Sequence, residues 1–492
     1  MRIALLVAAA VSALLVAAGP ALSRTLEVGP DKTFHSIADA LKKAKAGDTV
    51  EVQSGTYEGA LIIKKKITLQ GIDSGGGLPV ITAAGQSAVL HLTGGGATIA
   101  GLVVAGGENP VGSYKITDMV RKDAGILIES NSNTIRDVTV HNLHNGLLIF
   151  GADNNVADSA FRANSIVGAG VRSGGGNSFV NSTFDGNGVY GLMLGWFNDP
   201  ALATGNMQDW YKVLQTLKNV EHNKVDDNSF TNNGFAGLIL AQAAFRNEAT
   251  GNTATGNGGS VPPEFGPWSK GAGIYLSCAA MWNLIAGNDV SGNDNSGITL
   301  NPGMDNIFRS NAIKDNTEFG IDVAGSTGNR FEANAISGHK GHGIIFKRWV
   351  EAQMPNASNL LTGNDLSENG MNAYDESGVA FEPPAAMQFV DEATRQKTIA
   401  EYSVANSWDD GARGNHYDDF DETSEGFVDA NGDGIGEMAH PIPGGAAVDH
   451  LPLAQAPVNE GKAATDGVKV AALKTICTPL KACDAAALSC AN

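Results

Sequence analysis

The sequence predicts an all-β fold: a right-handed single-stranded parallel β-helix with coils of about 23 residues and a short N-terminal capping helix. The main observation is a recurring grid of asparagine and glycine. Asn223, Asn228, Asn233 and Gly237 stand at offsets 0, +5, +10 and +14. The same spacing returns at Asn283, Asn288, Asn293 and Gly297, at Asn306, Asn311, Asn316 and Gly320, and at Asn329, Asn334, His339 and Gly343. The second observation is that short Val/Ile/Leu runs recur with this period and show no helical phase. Composition is the third. Glycine is abundant, at 62 residues, and aromatics make up only 7%, which suits many tight turns and a thin core.

The elements follow in order. Residues 1–23 read as a secretory signal, with Arg2 before an apolar run and Ala21 and Ser23 at the cleavage positions. A periplasmic or secreted location is therefore expected, with no membrane span once the signal is removed. Within 34–45, Ile37, Ala40, Leu41 and Ala44 have helical spacing and should plug the first coil. The coils then fill the span 24–453. In them asparagine is expected to tolerate left-handed turn geometry and to stack along the axis, and Gly at +14 to supply a turn conformation. Inserts are expected at 195–222, with a helical piece at 207–222, at the Pro-rich 258–270, and at 349–358 and 370–376. The first two flank one strand, the arrangement by which solenoids build a working groove. A closing segment spans 406–453, and 454–492 is an Ala-rich linker with a cysteine-bearing tail. Three of the four cysteines, Cys477, Cys483 and Cys490, crowd that tail, and Cys278 is expected to be buried in the body. Their pairing stays open.

The charge is 33 Lys+Arg against 52 Asp+Glu, or −19. So acidic a chain repels phosphate backbones, which argues against nucleic acid as a partner.

Strand alternation sorts the candidate site. Offsets +15 and +17 are apolar and should face inward, as at Ile298 and Leu300 or Ile344 and Phe346. The intervening positions should then place Tyr275, Asn301, Asp322 and Lys347 on one outward face, beside the basic run holding His339, Lys340, His342, Lys347 and Arg348. Removing the proton beside a uronate carboxylate needs a cation to neutralise the carboxylate and a base to take the proton. Lys347 or Arg348 suits the first role, and His342 or Tyr275 the second. A second outward carboxylate beside Asp322, as glycoside hydrolysis requires, is not evident. In the closing segment Asp429, Asn431 and Asp433 have the 1, 3, 5 spacing of a calcium loop, with Gly434 at the sixth position and His440 rather than Glu at the twelfth.

Two stretches carry a family resemblance. VGPDKTFHSIADALKKAKAGDTVEVQSGTYEGALIIKKKITLQG resembles the N-terminal cap of pectate-lyase-like β-helix proteins. The stretch from Gly414 to Leu453, GNHYDDFDETSEGFVDANGDGIGEMAHPIPGGAAVDHLPL, resembles the closing motif of NosD-type periplasmic proteins. His416 and Tyr417 stand where that motif has Tyr and Trp. The asparagine-rich coils resemble the carbohydrate-binding and sugar-hydrolase repeat class. The NosD resemblance implies an accessory protein of metalloenzyme maturation that handles copper beside a periplasmic or transporter partner. Softer donors for such a metal, His416, Met438 and His440, with His450, gather in the closing segment. The wider class implies a polysaccharide partner, bound or acted on by a uronan lyase or C5-epimerase.

Overall fold

The computed structural model describes residues 23–82, 88–107, 124–195, 219–260, 270–348, 355–379 and 391–462. One coil shows how the sequence makes the fold. Asn283 precedes the strand Leu284–Ala286, Gly287 turns the chain, and Asn288 precedes the strand Asp289–Ser291. Gly292 turns it again, Asn293 follows, and the strand Ser296–Met304 closes the circuit at Asp305. Gly287, Gly292 and Asp305 have φ of 61°, 63° and 51°. The left-handed residue is thus the one before each asparagine, not the asparagine itself as the sequence led us to expect. Where this corner residue is not glycine it is often Asp, Asn or Ser, which tolerate that region best.

The asparagines have another task. Asn288 accepts through Oδ1 from the backbone N–H of Asn252 (2.9 Å) and from its Nδ2 (2.9 Å), and its own Nδ2 donates to Asn311 (2.9 Å) and to the Ala249 carbonyl (3.0 Å). Repeated coil to coil, this makes three buried ladders that satisfy the corner amides the strands leave unpaired. One ladder runs from Asn133 through Asn283 to Asn406, and a second from Asn228 to Asn415. The third runs from Asn164 through Asn316 and His339 to Asn369.

The strands form three strips. Two belong to a 24-stranded sheet and the third to a 14-stranded sheet, with every pairing inside them among the described residues parallel and one coil joined to the next. Apolar residues face in, as the alternation predicts: Ile274, Leu276, Ile298, Leu300, Ile321, Val323, Ile344 and Phe346 are all fully buried. Aromatic rings stack along the axis, Phe161 on Phe184 at 5.2 Å and Phe184 on Phe230 at 5.0 Å. At the start of the rod the expected helix spans Ile37–Lys43, capped by Ser36, whose hydroxyl accepts from Asp39 N–H (3.1 Å). It buries Ile37 and Ala40, while Leu41 is only half-buried.

Three expectations need correcting. The glycines at +14 do not have positive φ; they are needed for space. A Cβ on Gly297 would lie 2.5 Å from the Ile313 methyl and 2.7 Å from Asn316 Nδ2. Residues 370–376 are not an insert. Met371–Asp375 is the next strand of the third strip, paired with His342–Lys347, and Asn372 falls opposite Gly343. The closing region also holds a helix, Glu392–Tyr402, that the sequence reading did not anticipate.

The closing segment ends the rod. Asn406 and Asn415 are the last ladder rungs, and carboxylates take the next place. Asp375 accepts from Asn406 Nδ2 (3.0 Å) and Trp408 Nε1 (2.8 Å), and Asp449 accepts from Asn415 N–H (2.8 Å) and Tyr417 Oη–H (3.1 Å). Beyond Leu453 the chain turns back along the coils. Asn459 donates to the Asn311 carbonyl (3.0 Å), and Lys462 pairs with Asp226 (2.9 Å) and Asp227 (2.6 Å). The leader, the helical piece at 207–218, most of the Pro-rich loop, residues 349–354, the Cys278 side chain and the three tail cysteines lie outside the described residues.

Candidate functional site

The outward face of the third strip changes character along the rod. Over its first coils it is apolar. Leu148, Val167, Tyr190, Met193, Phe235, Ile239 and Tyr275 form a buried cluster on the side away from the coil interior. From the strand Ser296–Met304 onward it turns polar. Register places Thr299 opposite Asp322, Asp322 opposite Ile345, and Ala324 opposite Lys347. Four polar atoms on these neighbouring strands are buried with no hydrogen-bond partner among the described residues: Thr299 Oγ1, Asn301 Oδ1, Asp322 Oδ1 and His342 Nδ1. Buried polar atoms are nearly always paired, so four on one face mark a place built to meet something else.

Lys347 Nζ donates to Asp322 Oδ2 at 2.7 Å and lies 5.4 Å from the centre of the Phe319 ring. His342 sits between two rings, Phe319 and Tyr374, each at 5.7 Å. Burial pushes the Asp322 carboxyl above its ordinary range, against the opposing pull of Lys347. Burial holds the His342 imidazole below its ordinary value, more strongly than Asp322 raises it. At neutral pH the ring is therefore the neutral form, which can accept a proton. At the edge of the group Arg348 enters through its backbone N–H, which donates to Glu376 at 2.9 Å, and Tyr374 Oη–H reaches the same carboxylate at 3.4 Å.

Of the residues singled out in the sequence, Asn301, Asp322, His342 and Lys347 come together. Tyr275 is not part of this polar group. It belongs to the apolar cluster, packed on Phe235 at 5.2 Å. His339 is a ladder rung: its Nδ1 accepts from Asn316 N–H (3.1 Å) and its Nε2 faces the Ile313 carbonyl (3.2 Å). Sequence reasoning missed Tyr374 and Glu376 because it took 370–376 for an insert. The small inward Ala373 followed by an aromatic and then acids was the available signal. It also missed Glu318, close enough to act on both Asp322 and His342, so Asp322 does have an acidic neighbour.

Most of the candidate metal donors of the closing segment already have other partners. Asp429 accepts from the N–H groups of Gly432 (2.7 Å) and Gly434 (2.9 Å), Asn431 from Asp433 N–H (2.8 Å), and Asp433 from Ile435 N–H (2.9 Å). This is a turn closed by its own side chains. His416 is held between Asp365 (2.8 Å) and Asp421 (3.1 Å). Burial lowers its pKa, but the two carboxylates together leave it raised. The His440 ring packs at a tilt against Tyr417 (4.4 Å) and Phe420 (4.5 Å), and Met438 is 53% exposed. Among the described residues no group of three or more His, Cys, Asp or Glu side chains is arranged to hold a metal ion.

A family described as the right-handed β-helix region matches residues 100–261 and 215–366. No curated protein matches. Among solved structures, the A-module of the Azotobacter vinelandii mannuronan C-5 epimerase AlgE6 superposes with a TM-score of 0.50 at 16% identity, covering 69% of this chain and 90% of that one. The AlgE4 A-module of the same organism gives 0.44 at 14% identity, over 76% and 88%. A capsular polysaccharide depolymerase tailspike of an Acinetobacter baumannii phage gives 0.41 at 12%, over 71% and 59%.

Proposed function

Since the chain belongs to the right-handed β-helix family, matched over 100–366, we propose that it acts on a uronic-acid polysaccharide through the outward face of its third strip, as a lyase or C5-epimerase. The observation that carries the reading is the Asp322–Lys347 pair beside His342, among four buried and unpartnered polar atoms. The substrate class comes from the fold's company, an epimerase named for mannuronan, and the chemistry from the residues. In this reading the Lys347 ammonium, steered by Asp322, neutralises the sugar carboxylate and so acidifies the neighbouring C–H. Neutral His342 takes that proton through Nδ1. The electron pair left on carbon either forms a C=C bond as the glycosidic oxygen leaves with the proton that His342 has taken, or accepts a proton from water on the opposite face while His342 releases its own to solvent. Thr299 and Asn301 bind sugar hydroxyls, and Tyr374 gives a ring to stack on.

The test is incubation of the purified protein with mannuronan, polyguluronate and pectate in deuterated water. The expected result is deuterium at C5 or ultraviolet absorbance from unsaturated ends, falling about 100-fold or more in His342→Gln. Absence of both signals across the panel would remove the enzymatic reading.

A further inference from the structure

The first coils carry a feature that the site does not use. Between Arg24 and Gly107 there are eight Lys and Arg against seven Asp and Glu, in a chain with 33 against 52 overall. Six of the eight are lysines in two runs, Lys42, Lys43 and Lys45 at the C-terminal end of the capping helix and just past it, and Lys64, Lys65 and Lys66 one coil on. All six are exposed. The fold joins the two runs. Lys65 Nζ donates to the Ala44 carbonyl at 2.5 Å, which caps the helix, and Gly47 N–H bonds the Lys66 carbonyl at 2.7 Å. Nearby carboxylates are largely engaged: Asp48 by Arg24 and Lys45 N–H, and Asp39 by Lys42 and Ser36.

Between the runs lies a pocket of about 310 Å³ whose floor is apolar, formed by Leu41, Leu61, Ile63 and Ile67, with Lys42, Lys64 and Lys65 at its rim. Ile62, on the same wall, is 50% exposed. The described chain begins here too, with Arg24 held to Asp48 and to the Lys43 carbonyl (3.5 Å).

We propose that this end of the rod docks on an anionic phospholipid surface, with the lysines on the headgroups and Ile62 and the pocket meeting the acyl boundary. An apolar floor ringed by lysines is the composition that surface selects. A polyanionic sugar would use the lysines but gain nothing from the exposed isoleucine. Docked this way, the rod carries the polar face of its third strip several coils away from the bilayer.

The test is co-sedimentation with vesicles of phosphatidylcholine alone and with added phosphatidylglycerol. It uses the full chain and the quadruple variant Lys42→Gln, Lys43→Gln, Lys64→Gln, Lys66→Gln, which spares the helix-capping Lys65. Full chain should bind the anionic vesicles more tightly, with the difference lost in high salt and falling about fivefold per lysine removed. Ile62→Ser should weaken binding while keeping its salt dependence. Equal binding to both vesicle types, or an unchanged quadruple variant, would overturn the proposal. So would lysine-dependent binding to mannuronan with none to vesicles. Circular dichroism of both variants guards against misfolding.

Discussion

Of the buried titratable residues that stand where the ladders would otherwise have an amide, Asp449 and His339 respond to pH in opposite senses. Asp449 ends the second ladder, and burial raises its carboxyl to about 6 despite four accepted hydrogen bonds. The fold thus holds a proton that the unfolded chain releases near pH 4, so stability contributed by Asp449 is present in acid and is lost as pH rises through about 6. Asp449→Asn should flatten the dependence of the thermal midpoint between pH 4 and 6, while turning an amide N–H toward Leu451 N–H, from which Oδ1 now accepts at 3.0 Å. His339 behaves the other way. Burial holds it neutral, and a second ring proton would face Asn316 N–H, from which Nδ1 now accepts at 3.1 Å. Its folded pKa lies below the unfolded value, so stability is lost as pH falls below about 6.5. His339→Asn should restore the amide rung, leave stability at pH 7 within about 1 kcal/mol, and remove that acid-side loss. Denaturant titrations at pH 5 and pH 7 separate the two cases.

At the scale of the coil, the asparagine and the glycine do different work from what their usual conformational roles suggest. The amide side chain satisfies two donors of the preceding coil, and removing it at Asn288 would leave the N–H and Nδ2 of Asn252 buried without their acceptor. Asn288→Ala should therefore cost about 3 kcal/mol. Gly297→Ala should cost about 1–3 kcal/mol through the clash of its Cβ with Ile313 and Asn316. Urea unfolding of the two variants measures both. The period and the strand faces were legible in the sequence because a stacked repeat must present the same residue type at the same offset in each coil. Inward Ile298, Ile321 and Ile344 could be assigned from that alone. The site was legible only in part. Asn301, Asp322, His342 and Lys347 share the repeat's phase, so alternation placed them on one face. Tyr374 and Glu376 escaped because 370–376 reads as an insert when no glycine stands at the +14 position; Asn372 falls opposite Gly343. Alternation also could not show that the outward face around Tyr275 is covered, since sidedness within a strand says nothing about what packs on top of it.

For the whole molecule, the site and the scaffold are separable in a way that compact enzymes rarely allow. Each coil contacts its neighbours through equivalent ladders, so stability adds up nearly coil by coil. Deleting residues 284–306 joins Asn283 to Ile307 and keeps every ladder in step, because successive rungs here are 23 residues apart. The shortened rod should keep its β circular dichroism spectrum and still melt cooperatively, though at a lower temperature. It should lose turnover, since Thr299 and Asn301 go with the deleted strand. Retained activity would move the site elsewhere.

The ladders also fix how the molecule bears load. Both the strand-to-strand bonds and the asparagine rungs point along the rod, so tension applied between its ends pulls on one interface at a time rather than shearing many in parallel. The rod should part coil by coil. Each 23-residue rung spacing would release roughly 80 Å of contour, giving an evenly spaced sawtooth in single-molecule extension. The strap at Lys462, which spans several coils from the closing end, would shield the coils beneath it until its ion pairs to Asp226 and Asp227 let go.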